Sequence, residues 1–244
     1  MHRCLIETNR LLDNSILLTR EESRHIRNVL RLKDGAVIEL FDGAGRTREA
    51  EIIAVGKNLL TLNPVTNPEL HPSPKCSLTL LVCISKGKRI DWSIEKATEL
   101  GVMRVVPIIS ERTIVRLNAA ERQHKQERWQ RVAEDAARQC GSAWVPQIDS
   151  PLEFAEASAV CAQSDVAFTA ALSSDAIPLR NALRNFTTTP SSALWFTGPE
   201  GDFTEAELQE LRANNVVLVN LGTNILRAET AAVYGLCVLN CLWL

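Results

Sequence analysis

The sequence predicts an α/β protein: a larger C-terminal domain on a parallel sheet, preceded by a smaller β-rich region. Three observations carry that expectation. Beyond Cys76, apolar strand-like runs alternate with helix-patterned segments, the mark of successive β-α-β units. The first such run, LTLLVCIS at 78–85, is continuously apolar, as a strand buried on both faces is. Before residue 70 the pattern is instead one of short strands around a single helix.

In the first region, AVIELFDGAGRTREAEIIAV (36–55) reads as two strands around a hairpin-like turn at Asp42–Gly45. LLTLNPV (59–65) is a further strand. A short helix is expected over REESRHIRNVLR (20–31), with Thr19 as N-cap and Glu22 completing a capping box. A small β-barrel with one helix accommodates these elements. Residues 67–75 hold prolines at 68, 72 and 74, which suit neither strand nor helix, so 71–75 reads as a linker.

The second domain, 76–244, opens with the strand at 78–85, then a helix with Asp91 as cap and Gly101 as stop. VMRVVPII (102–109) is a strand. A long helix starts at Asn118, with Glu121 in its capping pattern and Gly141 at its end. Trp129, Val132, Ala133, Ala136, Ala137 and Cys140 share one face of it. Helix, strand and helix are expected at 151–163, 165–172 and 176–186. Strand, helix and strand follow at 192–197, 204–215 and 216–222, and a final helix closes the chain.

The 244 residues suffice for one large or two modest domains, and an apolar content of 45% with 23% charged residues fits a soluble globular chain. No apolar run is long enough to span a bilayer, and the opening MHRCLIETNR lacks the apolar core of a signal peptide. A cytoplasmic protein with no membrane partner is the expectation. The seven cysteines are scattered without a C-x-x-C pair and read as reduced, buried thiols. The four histidines suggest no metal site. A net charge of −2 excludes a globally basic nucleic-acid binder, so any RNA contact needs a local patch.

Three connections carry the functional signal. In LWFTGPEGDF (194–203) a strand ends at Thr197 and a helix starts after Thr204, with Glu207 completing a capping box and Phe203 and Leu208 forming a hydrophobic staple. The turn therefore lies at the carboxyl end of a parallel strand, where α/β sheets bind ligands. Gly198 and Gly201 permit close backbone approach. On this stretch alone, a tight turn with surface acids explains the residues equally well. Neither a phosphate-loop nor a dinucleotide fingerprint is present. NLGTNILRAETAA (220–232) again leaves an apolar strand and enters a helix through Gly222, with Arg227 and Glu229 at the helix start and small alanines at 228, 231 and 232; on its own, a helix start with a local ion pair and small packing residues explains it better. Third, Lys86, Lys88 and Arg89 stand at a helix N-terminus, where the helix dipole disfavours cations. They read either as a solvated basic loop or as a phosphate contact.

Together and in this order, KGKRIDWSIEKATELGV (86–102), SERT (110–113), RWQRVAEDAARQCG (128–141), FTGPEGDFTEAEL (196–208) and NLGTNILRAETAA resemble the bacterial small-subunit ribosomal RNA uridine N3-methyltransferases of the RsmE type, within the SPOUT superfamily. RHIRNVLRLKDGAVIELFDGAG (24–45) resembles the PUA-like RNA-binding domain of that family. The resemblance implies a deep trefoil knot in 76–244, S-adenosylmethionine as cofactor, a homodimer, and a specific uridine of 16S rRNA, within the 30S subunit, as methyl acceptor. It places Thr197, Gly198, Pro199, Glu200 and Gly201 in a first cofactor loop. Leu221, Gly222, Ile225, Leu226, Arg227 and Ala228 fall in a second, with Thr230 just beyond. One departure is Ser142-Ala143-Trp144, where the family often carries arginines; Trp144 reads as a stacking platform for a base or as packing.

On that basis Arg227 is the candidate group for charge developing on a uracil oxygen. Glu200 is a candidate base, or a residue that only shapes the loop. Arg3, Arg10, Arg24, Arg27, Arg31 and Lys33 are the cations of the first region; Arg24, Arg27 and Arg31 have the i, i+3, i+7 spacing that puts them on one helix face. With Lys86, Lys88 and Arg89, these three form the expected RNA-binding set. Two alternatives stand beside this reading: a related methyltransferase acting on another RNA such as tRNA, and a non-catalytic RNA-binding ribosome-assembly factor.

Overall fold

The computed structural model of the chain describes residues 2–24, 26–27, 31–55, 59–184 and 186–244, without the side chains of 54 and 55. By its contacts the chain divides into two units, Met1–Ser73 with Ala137–Val145, and Pro74–Ala136 with Pro146–Leu244.

In the first unit, β1 (Arg3–Leu5) pairs parallel with β3 (Val37–Phe41). β3 pairs antiparallel with β4 (Arg46–Val55), β4 with β5 (Leu60–Pro64), and β5 with β2 (Ile16–Leu17). β6 (Glu69–Leu70) joins the start of β4. Alternation turns Ile38 and Leu40 inward, onto a core with Leu11, Ile16, Leu18, Ala50, Ile52, Leu60 and Leu62. The β3–β4 turn is set by Asp42, whose Oδ1 accepts from the N–H of Ala44 (2.8 Å) and of Arg46 (2.9 Å). The short helix α1 (Thr8–Leu11) and strand β1 were not foreseen.

Helix α2 (Arg20–Arg24) opens with the expected capping box: Thr19 N–H donates to Glu22 (2.7 Å) and Glu22 N–H to Thr19 Oγ1 (3.3 Å). It does not extend to residue 31. Arg31 has a left-handed backbone (φ 54°), so Arg24, Arg27 and Arg31 do not line one face of a regular helix. Residues 25 and 28–30 of that expected helix lie outside the described residues.

Trp144 packs. Its ring lies over Gly45, where a Cβ would stand 2.4 Å from it, and the flanking backbone bonds Gly45 N–H to Ala143 O (3.0 Å) and Val145 N–H to Gly43 O (2.9 Å).

The second unit is built on an eight-stranded parallel sheet. Its elements in chain order are β7 (Ser77–Cys83), α3 (Arg89–Glu99), β8 (Arg104–Ile109), α4 (Ala119–Cys140, of which 137–140 belong to the first unit), β9 (Gln147–Ile148), β10 (Leu152–Glu153), α5 (Phe154–Cys161) and β11 (Val166–Ala170). They continue with β12 (Ile177–Pro178), α6 (Leu179–Leu183), β13 (Ser192–Thr197), α7 (Glu205–Ala213), β14 (Val216–Asn220) and α8 (Ala228–Trp243). The spatial order is β10-β8-β7-β13-β11-β14-β12, with β9 beside β8. The continuous apolar runs are explained by burial of both faces: in β7 and β13 the last four residues are all buried.

Several expected boundaries shift. Asp91 is not a cap but lies inside α3, where its carboxylate accepts from Arg128 and from the indole N–H of the fully buried Trp129 (3.0 Å). Gly101 does stop α3: its N–H reaches Thr98 O (3.1 Å) and Val102 N–H reaches Ala97 O (3.0 Å), a Schellman pair. The segments at 151–163 and 176–186 each begin with a two-residue strand before a shorter helix. Of the seven thiols, Cys4, Cys76, Cys83 and Cys161 are buried, and desolvation pushes Cys83 and Cys161 up to about 12. Cys140, Cys237 and Cys241 are exposed, against expectation.

Helix α8 follows β14 near one edge of the sheet yet packs on β13, β7 and α3 at its middle. Gly235 makes this possible, since a Cβ there would stand 2.0 Å from the Trp195 ring.

Candidate functional site

The carboxyl ends of β11, β13 and β14 border a cavity of about 260 Å³. Ala170, Ala171 and Leu172 approach it from the exit of β11, Thr197 to Glu200 and Asp202 from the exit of β13, and Val219 to Gly222 from β14. Asn224 to Ala228 and Ala231 complete it from the loop and first turn of α8. The structure thus brings together Thr197, Gly198, Pro199, Glu200, Leu221, Gly222, Ile225, Leu226, Arg227 and Ala228 from two sequence-distant loops. Gly201 and Thr230 are beside the lining but not in it.

The turn after β13 is fixed by packing and by hydrogen bonds. Gly198 lacks a side chain because the Phe203 ring would stand 3.0 Å from its Cβ. Phe203 in turn packs with Phe154 and Phe196, centroids 5.6 and 5.0 Å away, in the core that also holds Leu208. Asp202 adopts φ 59°, a left-handed backbone costing about 1–2 kcal/mol for most residues and less for Asp. The foreseen α7 cap is present: Glu207 N–H donates to Thr204 Oγ1 (3.3 Å) and Thr204 N–H to Glu207 Oε2 (2.9 Å).

The candidate catalytic residues differ in their surroundings. Arg227 is exposed, at the N-cap of α8, with no ion pair or hydrogen bond from its side chain among the described residues. Glu200 is ion-paired with Arg89 at 2.8 Å, both about half exposed. The basic loop therefore sets one cation against a carboxylate of the cavity wall, and Lys86 and Lys88 are exposed. In the other unit, Arg24 and Arg31 are exposed and Arg27 is half-buried, its Nη2 reaching Leu59 O (3.4 Å). Arg3 and Arg10, cations of the first region outside the expected RNA-binding set, are engaged within the unit. Arg3 is buried over the Phe41 ring and donates to Glu39, Ala137 O and Ser142 O; Arg10 is paired with Glu22 through two 2.9 Å bonds.

Sequence reasoning missed Ala170 to Leu172 and Arg112. Their relevance depends on which strand exits become neighbours, and that is set by β11 pairing with β13 and β14 and by β13 pairing with β7, far away in sequence. Thr197 Oγ1, Trp195 Nε1 and Glu229 Oε2 are buried without a partner among the described residues. Those residues include no group of three or more His, Cys, Asp or Glu able to hold a metal ion.

A cavity between glycine-bearing strand exits of a parallel sheet defines a ligand-binding α/β domain, and the comparisons with known proteins say of which kind. The family model of an RNA methyltransferase domain matches residues 71–240, and that of an RNA methyltransferase PUA domain matches residues 18–65. The chain is 30% identical to the ribosomal RNA small subunit methyltransferase E of Bacillus subtilis over 90% of this chain and 87% of that one. It is 29% identical to the protein of the same name from Synechocystis, over 99% and 78% of the two chains. The crystal structure of a ribosomal RNA small subunit methyltransferase E from Neisseria gonorrhoeae, bound to S-adenosyl methionine, superposes with a TM-score of 0.86 at 28% identity, covering 100% of this chain and 98% of that one. The chain belongs to the family of ribosomal RNA small subunit methyltransferases E.

Proposed function

We propose that the chain transfers a methyl group from S-adenosylmethionine to N3 of a specific uridine in 16S rRNA of the small ribosomal subunit. The observation that carries this is the cavity between the 197–202 turn and the 219–228 loop, with the exposed Arg227 on its wall, in a chain of the rRNA methyltransferase family. The residues present fit the cofactor. The wall is largely apolar, a Cβ on Gly222 would enter open space, and the orphaned Thr197 hydroxyl offers a hydrogen bond to a polar ligand. Thr197, Gly198, Pro199, Leu221, Gly222, Ile225, Leu226 and Ala228 would hold it, with Gly201 and Thr230 supporting from behind. When bound, the cofactor supplies a methyl group activated by a positively charged sulfur.

The protein's own residues then have to align the base and manage its proton. Arg227 stabilises negative charge on a uracil carbonyl oxygen. Of the two carboxylates on the wall, Asp202 already accepts two backbone N–H groups, which leaves Glu200 to take the N3 proton. Its ion pair with Arg89 has to be exchanged first.

Residues 1–70 would supply RNA affinity, as a rolled PUA-like barrel, joined through 71–75 to a methyltransferase domain at 76–244. Arg24, Arg27, Arg31, Lys86, Lys88 and Arg89 are the proposed phosphate contacts. A trefoil knot is supported by the return of α8 to the middle of the sheet. A homodimer through the outward face of α8 is supported by exposed Tyr234, Cys237, Cys241 and Leu242 on a helix without charge after Glu229. Action on 30S subunits implies a cytoplasmic location; among the described residues no helix is long and apolar enough to cross a membrane.

The test is methyl transfer from labelled S-adenosylmethionine to 30S subunits lacking their own uridine methylation, with the modified nucleotide mapped. N3-methyluridine at one position is expected. Cofactor binding without transfer would move the activity to another RNA or deny it, and no cofactor binding would undo the reading of both loops.

A further inference from the structure

We infer that Arg112 and Asp202 form a brace that positions two walls of the cavity for the cofactor; this rests on the cofactor reading above. Arg112 lies past the end of β8, two strands from β13 in the sheet order, and does not line the cavity. Its guanidinium nevertheless donates to the carbonyls of Gly201, Asp202 (3.4 Å) and Phe203 (3.3 Å).

The base of that arm is itself held. Ser110 and Thr113 are buried with their hydroxyl oxygens 2.8 Å apart, and Ser110 N–H donates to Thr113 Oγ1 (3.0 Å). Arg116 donates to the carbonyls of Glu111 (3.1 Å) and Thr113 (2.7 Å). Glu111 N–H reaches Glu207 Oε1 (2.8 Å), a second tie to the segment after β13.

From the turn the path continues. Asp202 Oδ1 accepts from Phe203 N–H (2.8 Å), and Oδ2 accepts from Leu172 N–H (2.8 Å) at the exit of β11. Asp202 and Leu172 both line the cavity. A continuous run of hydrogen bonds therefore links the exits of β8, β13 and β11, through a residue with a left-handed backbone (φ 59°). Neither residue is assigned to the reacting atoms. Their role is positioning: without the guanidinium three carbonyls turn to water, and without the carboxylate the two walls are no longer tied. A site that must order its walls on binding holds its ligand more weakly.

The test uses Arg112→Ala and Asp202→Gly in the full chain. Glycine tolerates the left-handed backbone, so the second variant removes the carboxylate without adding strain. In the ligand-free protein, amide hydrogen exchange at Leu172 should quicken about tenfold or more in Asp202→Gly, the loss of one well-made bond. Affinity for S-adenosylmethionine should weaken about tenfold in each variant, on the same scale. The Michaelis constant for the cofactor should rise in step, with kcat and RNA affinity near parental. The double variant should lose little more than either single, because the two residues act in one chain. Parental cofactor affinity in both variants, or unchanged exchange at Leu172, would overturn the brace. A parental protein that binds no S-adenosylmethionine would remove the cofactor reading instead, and exchange at Leu172 would then judge the brace alone.

Discussion

The turn at 198–203 and the loop at 220–227 border the same cavity, yet they are held in different ways. The first is gripped from three sides, by Arg89 on Glu200, by Arg112 on three carbonyls and by Leu172 N–H on Asp202. Phe203 anchors it in an aromatic cluster. The second has one local bond near its start, Gly222 N–H to Asn220 Oδ1 (2.7 Å), and its residues from Gly222 to Ile225 are exposed. Ile225 is 79% exposed, which for an apolar side chain on a cavity wall leaves its contacts to be made by a ligand. Among the described residues, one wall is held by many bonds and the other by few.

The largest effect should come from the sparsely bonded side. Arg227→Ala should lower kcat about 10²–10³-fold, the scale seen when a donor to a developing charge is removed. Cofactor affinity, measured by calorimetry, should stay within a few-fold. Equal losses in both would place Arg227 in ground-state binding. Next come the two glycines. Gly198→Ala drives a methyl into the Phe203 ring and should cost about 1–3 kcal/mol, lowering the melting temperature by several degrees. Gly222→Ala meets no neighbour and suffers only from φ 134°, a strain that a loop with few bonds can release. It should weaken cofactor binding with little change in melting temperature. The opposite ranking of the two melts would reverse the contrast between the walls.

The smallest effect concerns Asp175, just after Leu172 on the gripped side. The hydrogen bond from Arg212, helped by Ser173, holds its carboxyl at about 2, below the ordinary 3.8. A lowered value stabilises the folded chain above the ordinary value and is lost as the pH falls through about 2. The melting temperatures of Asp175→Asn and the parent should therefore differ by a small, constant amount from neutral pH to about pH 4, and converge in stronger acid. A difference that grows on acidification would contradict the sign.

Much of this was legible in local chemistry. Thr19, Asn118 and Thr204 cap their helices as the sequence patterns require, because a capping box is closed within four residues. The two loops were found because glycines mark strand exits. What stayed hidden depends on distant neighbours. Asp91 looked like a cap, but Trp129 and Arg128 claim it from α4. Arg3 counts in the sequence only as a cation of the first region, and its engagement by Glu39 and by the backbone at Ala137 and Ser142 depends on distant neighbours. Arg112 stands there only within the SERT stretch, with no role of its own, and the sheet order puts it against Gly201. The periodicity at 20–31 promised one helix, and the left-handed Arg31 does not continue it.

The packing of α8 also bears on how the chain is made. Strands β7 and β13 are complete by residue 197, but the helix that covers them ends at Trp243. On a translating ribosome the apolar face bearing Trp195 therefore stays uncovered until β14 and α8 have emerged. The first unit waits less: its described strands lie within the first 70 residues, and the segment 137–145 that completes it precedes β13. Synthesis thus presents a stage at which one region is ready to fold and the other offers sticky surface to chaperones.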